Sequence, residues 1–167
     1  MITLISATSA TTYRIDDEFH QATGTRIAGT TPFMGEGELS IDNTEGGRDA
    51  VAIMTVSGSQ IPFYAVYVRD GDSHTIQHIP DNTYNLYFSH GSSWNQSINQ
   101  FNDPQNAMFA DQTGENPEPF LFKTTTKREG NYINTYYSTF FVTLFGIEGG
   151  AANTKYISEK EKFPSLL

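Results

Sequence analysis

Short β-type runs, broken by turn clusters about every 8–12 residues, are the strongest constraint on this chain. No long window places apolar residues at i, i+3, i+4 and i+7. Thr, Tyr, Phe, Val and Ile dominate the runs, and these suit a pleated, half-buried surface. The spacing predicts an all-β fold, an antiparallel β-sandwich of Greek-key or jelly-roll type. Glu38–Asp42 alternates with Leu39 and Ile41 inward. Ala50–Val56 puts Val51, Ile53 and Thr55 on one face and Ala52, Met54 and Val56 on the other. Phe63–Arg69 is apolar on both faces, as a central strand is. Further strands are expected at Ser73–Ile79, Tyr84–Phe88, Phe120–Thr126 and Thr135–Phe145. Asp70-Gly71-Asp72 reads as a hairpin turn with glycine at its centre.

At 167 residues the chain is one domain's worth of material. Residues 1–24 read as an N-terminal arm or strand, and residues 25–167 as a single sandwich. Residues 89–119, rich in Asn and Gln and closed by Pro117 and Pro119, read as one long loop, and such a loop is often functional. Phe101, Met108 and Phe109 are expected to pack part of it back on the body. The first ten residues lack a basic leader, and their apolar stretch is too short for a complete signal peptide. The chain therefore reads as one whose export signal is removed or absent. No apolar run approaches a membrane-spanning length.

The formal net charge is −9. Little here would neutralise phosphates, so nucleic acid and anionic membranes are not expected partners. Up to residue 122 the chain has 4 Arg against 15 acids, a net −11. From residue 123 it has 6 basic residues against 4 acids, a net +2. Such asymmetry can steer one copy onto another. The arm carries no charge before Arg14, and its β-prone Ile2, Leu4 and Ile5 are the expected assembly residues. Added as a strand to a neighbour's sheet, they would make a homo-oligomer or filament subunit. The bland alternative is a strand pairing within its own domain.

Gly37–Asn43, Asp49–Val51, Tyr67–Asp72, Thr75-Ile76 and Ile79–Phe88 resemble the pattern of a domain family of secreted or envelope-attached bacterial and archaeal proteins. Trp94, Glu118–Phe120 and Thr143–Thr154 fit its later elements, so the resemblance covers about residues 25–165. Two departures stand out: Thr44–Gly47 in the loop after Asn43, and Asn82 at a turn position usually held by Gly. Asn can fill it because it tolerates positive φ. The Ile79–Leu86 element is similar to one in transthyretin-like and carboxypeptidase-regulatory β-sandwiches. The resemblance implies a β-sandwich, and an extracellular or cell-envelope location. It implies no chemistry.

There is no cysteine, hence no disulfide, thiol nucleophile or Cys-based zinc site. No nucleophile-elbow, Walker, zincin or Rossmann fingerprint occurs. Nothing selects a catalytic pair from the 19 acids, so no catalytic residue is assigned and the chain reads as non-enzymatic. His74 and His78 have even spacing and would face one way on a strand, roughly 13 Å apart, too far to share a metal. His20 and His90 read as incidental. The only cofactor considered is calcium, through Asp42, Asn43 and Asp49 (with Glu45) in one loop and Asp70 and Asp72 in another. The competing reading is turn residues that cap backbone groups. Trp94 with Tyr84, Tyr87, Tyr136 and Tyr137 is the candidate glycan-stacking platform. Against it stands a Trp94 that pins the long loop to the core. Asn95-Gln96-Ser97 is a lone glycosylation sequon.

Overall fold

The computed structural model describes residues 19–30, 34–111, 119–145, 152–158 and 162–167. Fourteen strands occur among them. They are β1 (Arg26–Gly29), β2 (Gly37–Asp42), β3 (Asp49–Val56), β4 (Pro62–Val68), β5 (Ser73–Ile79), β6 (Asn82–Gly91), β7 (Trp94–Asn95) and β8 (Gln100–Phe101). Then follow β9 (Gln105–Asp111), β10 (Phe120–Phe122), β11 (Thr124–Glu129), β12 (Tyr132–Tyr137), β13 (Thr139–Thr143) and β14 (Ala152–Tyr156). The large sheet runs β1-β4-β3-β6-β9-β14, with β10 also on β6. A small sheet runs β13-β2-β5, and β7-β8 and β11-β12 are separate hairpins.

Alternation along β3, β4 and β6 explains the layering. Ala52, Met54, Val66, Val68, Leu86 and Phe88 point to one side and pack against Leu39, Ile41, Ile76 and Val142 of the small sheet. That is the sandwich core. Val51, Ile53, Ala65 and Tyr67 point to the other side, where Trp94, Phe101, Phe163 and Leu166 cover them. A strand buried on both faces must read as continuously apolar, which is the pattern of Phe63–Val68.

Several expectations change. Residues 89–119 are not one loop: they hold the end of β6, the β7–β8 hairpin and β9, a strand of the large sheet. The Asn- and Gln-rich letters hid an alternation in which Ala107 and Phe109 enter the core. Residues 19–24, grouped with the arm, already bond to the body, through Phe19 O to Trp94 N and Gly24 N to Tyr67 O. Ile2, Leu4 and Ile5 lie outside the described residues. The pairing β2–β13 is parallel, against the antiparallel expectation. The chain leaves β10 on the large sheet and enters β13 beside the start of β2, where Glu38 N bonds Ser138 O. Phe120–Thr126 and Thr135–Phe145 each divide into two strands. Asn82 does not take positive φ, because β6 already begins there and pairs with Phe122. His78 does, at 62°, in a β-bulge between Ile76 and Ile79. The extra residue lets Ile76 and Ile79, three apart, both face inward. It also breaks the even phase that would have aligned His74 with His78.

Phe122 joins β10 to the core, with its ring 4.9 Å from Phe140 and 5.6 Å from Tyr84. Phe122→Ala is expected to cost about 3–5 kcal/mol, read as a lower urea midpoint at unchanged slope.

Candidate functional site

Two places concentrate chemistry-bearing residues at opposite ends of the sandwich. The first is the meeting of the β2–β3 and β4–β5 loops. Asn43 is fully buried there, and its amide nitrogen reaches the carbonyls of Arg48 (2.9 Å), Arg69 (3.1 Å) and Val68 (3.3 Å). A Cβ on Gly46 would lie 1.9 Å from Asn43 Oδ1, so any larger residue here would have to displace the buried Asn43 amide. Asp49 is buried beside it. Its Oδ2 accepts from Tyr67 Oη at 2.5 Å and pairs with His20 Nδ1, and its Oδ1 accepts from Asp70 N at 2.8 Å. Burial pushes the Asp49 carboxyl upward. The donors from Tyr67, Asp70 and His20 together outweigh it and hold the pKa below the ordinary value. Burial, then the Asp49 bond, pushes the Tyr67 phenol up.

The other acids of these loops serve the same turns. Asp42 Oδ1 accepts from Thr44 N and Oγ1, Asp70 Oδ1 from Gly47 N, and Asp72 Oδ2 from Thr23 Oγ1. Among the described residues no three His, Cys, Asp or Glu converge as a metal-binding group. Asp42, Asn43, Asp49, Asp70 and Asp72 do meet at one end, and their observed partners are those of turn residues. Gly71 takes φ of 83°, as the turn reading requires.

The proposed aromatic platform does not form. Tyr84 points into the sandwich core and Tyr87 to the opposite face, both buried. Trp94 is 3% exposed, with its ring 5.4 Å from Tyr67 and 5.0 Å from Phe101, both edge-on. It anchors the β7–β8 hairpin to the large sheet. Adjacent strand positions alternate faces, which is why side-chain type alone could not place these rings together.

The second place is the β11–β12 hairpin. Its registers run from Thr124↔Tyr137 to Glu129↔Tyr132. It starts where Thr124 N and Oγ1 bond the Asp81 carboxylate and where Ser138 N bonds Lys123 O. Tyr132 and Ile133 are 76% and 72% exposed, and Tyr136 and Tyr137 are also exposed. Lys127 Nζ sits 5.6 Å over the Tyr136 ring. Lys123, Lys127 and Arg128 face a single acid, Glu129, in this segment. Sequence reasoning named Tyr136 and Tyr137 but missed Tyr132 and Ile133, which fall between the two expected strands, Phe120–Thr126 and Thr135–Phe145. The signal was Gly130-Asn131 between two runs rich in Thr and Tyr. Comparison of the chain with family models, curated proteins and solved structures finds no match.

Asp49→Asn removes a charged acceptor from buried donors and is expected to cost about 1–3 kcal/mol, measured by chemical unfolding. Acid lability has a separate source. His90 is buried and its pKa is pushed down to about 4, by burial and then by the nearby Arg48 charge. The unfolded chain binds a proton near pH 6.5 that the native chain refuses, so stability rises with pH across that window. Stability is expected to fall on the order of 2–3 kcal/mol between about pH 6.5 and 4. His90→Leu should flatten that part of the curve in thermal melts.

Proposed function

We propose that this chain is a non-enzymatic, exported interaction module of the cell surface that associates with further copies of itself through the β11–β12 hairpin. The observation that carries the reading is the hairpin's exposed aromatic and aliphatic surface. A two-stranded hairpin is at best marginally stable alone in water, and this one exposes Tyr132 and Tyr136 on one face and Ile133 and Tyr137 on the other, apolar side chains that contact with another copy would cover.

Charge selects the partner. The hairpin leaves the end of the sandwich where β6 begins, at Asp81 and Asn82. The acidic loops lie where β6 ends, since Asp49 pairs with Gly91 and Ser92 N bonds Asp103. The ten residues of β6 put roughly 30 Å between the two ends. At the far end Asp42, Glu45, Asp70, Asp72 and Asp103 outnumber Arg48 and Arg69. A basic, aromatic projection at one end and an acidic surface at the other complement each other between copies. Such a contact is head-to-tail, and if the rotation does not close it extends into a chain. The resemblance of Tyr67–Asp72 and Ile79–Phe88 to a secreted domain family supports the cell-surface placement.

In sedimentation the full chain is expected to show concentration-dependent oligomers that weaken as salt screens the charges. The double variant Ile133→Thr, Tyr136→Thr alters exposed positions, where folding is little affected. It should weaken association about tenfold or more. A chain monomeric at every concentration, or a variant that associates as tightly, would overturn the reading.

A further inference from the structure

Each sheet of the sandwich ends in two edge strands, β1 and β14 in the large sheet and β13 and β5 in the small one. An open edge is a template for pairing with another chain, and charges and bulges are the usual guards against it. Three of these edges are guarded. β1 opens with Arg26, shifts register before Ala28 and ends at Gly29 with φ of 88°. β5 holds the bulge at His78, and β14 carries Lys155. β13 has no such guard. Its five residues, Thr139-Phe140-Phe141-Val142-Thr143, include no charge, proline or glycine, and its register against β2 is unbroken.

The pairing with β2 fixes which backbone groups of β13 stay open. Ser138 O accepts from Glu38 N at 3.1 Å, and Leu144 N donates to Asp42 O at 2.8 Å. In a parallel ladder alternate residues turn both backbone groups to the same neighbour, so Phe140 and Val142 also face β2. Thr139, Phe141 and Thr143 turn theirs the other way, and among the described residues no strand lies beyond β13. Phe140 and Val142 point to the core. That leaves Phe141 on the outer surface, 66% exposed.

We propose that β13 pairs with β13 of a second copy, antiparallel about a two-fold axis at Phe141, and joins the two three-stranded sheets into one. The edge is its own complement. With Phe141 opposite Phe141 of the second copy, Thr139 falls opposite Thr143 and Thr143 opposite Thr139. These are the three positions whose backbone groups face outward, so each opposed pair exchanges both of its N–H···O bonds. Aromatic pairs and Thr–Thr pairs are among the cross-strand contacts that stabilise a sheet. An isologous contact requires a self-complementary surface of this kind. Charge favours the antiparallel sense over the parallel one. β13 begins two residues after the basic hairpin ends, and it finishes where Thr143 pairs with Asp42 of the acidic end. Antiparallel pairing therefore sets each copy's hairpin end beside the other's acidic end. Few residues take part, so the dimer is weak and reversible. The contact uses other residues than the hairpin association and does not rest on it.

Sedimentation of the Ile133→Thr, Tyr136→Thr chain reads this dimer without the hairpin contact, and concentration-dependent dimers are expected there. Adding Phe141→Lys alters an exposed position, where folding is little affected, and sets like charges opposite each other. It should weaken the dimer about tenfold or more, as should Phe141→Glu. An equimolar mixture of the two should recover it, because this register brings residue 141 of both copies together. If any of these variants does not fold, a second measurement decides the matter in the otherwise unaltered chain. The chain has no cysteine, so Phe141→Cys supplies a single thiol. Opposed Cα atoms about 5.5 Å apart suit a disulfide. In a glutathione redox buffer this variant should crosslink into dimers, while Ile61→Cys, exposed between β3 and β4, should not. A chain monomeric at every concentration, a charge mixture that stays apart, or a Phe141→Cys chain that crosslinks no faster than Ile61→Cys would overturn the inference.

Discussion

The central strands β3, β4 and β6 bury both of their faces, and the rest of the architecture follows from that requirement. A sheet apolar on two sides needs two covers. On one side the cover is the three-stranded sheet β13-β2-β5, which supplies Leu39, Ile41, Ile76 and Val142. On the other side, among the described residues, no sheet of three strands or more covers the face. A short hairpin anchored by Trp94 and Phe101, and a C-terminal segment bearing Phe163 and Leu166, do the work instead. Apolar burial at about 25 cal/mol per Å² makes either face alone costly to leave in water. A cover assembled from short pieces packs less continuously than a sheet. A cavity between Trp94, Asn106 and the C-terminal segment lies where those pieces meet.

The same two-sided sheet gives the molecule its ends. Strands of similar length set side by side leave their connecting loops at two poles. At one pole the loops carry acids, and buried Asn43 and Asp49 lock them by binding backbone groups from neighbouring turns. An unpaired carboxylate there would be costly to bury, so the donors from Tyr67, Asp70 and His20 are part of what holds the fold. At the other pole the chain passes from the large sheet to the small one. It does so through β11–β12, which extends beyond both sheets and so leaves Tyr132, Ile133, Tyr136 and Tyr137 in solvent. The charge asymmetry along the sequence becomes an asymmetry in space because the basic segment forms this projection.

Much of the fold was legible in single residues. Leu39 and Ile41 inward, the two faces of Ala50–Val56, the two-sided Phe63–Val68 and the glycine turn at Gly71 all follow from local pattern and turn chemistry. β9 was hidden because its edge-of-core letters, Gln105 and Asn106, are those of a loop, and only Ala107 and Phe109 carry its alternation. His78 could not be placed because a bulge is set by the register of two strands, not by either one. For the candidate sites, residue type was informative and position was not. The acids of 42–49 and of 70–72, read as two separate loops, lie at one end of the sandwich, where Gly47 N bonds Asp70 and Asp70 N bonds Asp49. The aromatics were grouped wrongly: Tyr84 and Tyr87 are three apart on one strand and so lie on opposite faces.

By itself the sequence determined the class of fold, the principal strands and the polarity of charge along the chain. These depend on period-two patterning, turn residues and composition, which act over a few residues. The tertiary structure alone decided that Trp94 is a buried anchor beside a cavity and that β13 runs parallel to β2. It also decided that the exposed aromatics are those of a projecting hairpin. Each of these depends on which distant segment covers which face. That choice is settled by burying the most apolar surface across the whole chain at once, and no local window contains it.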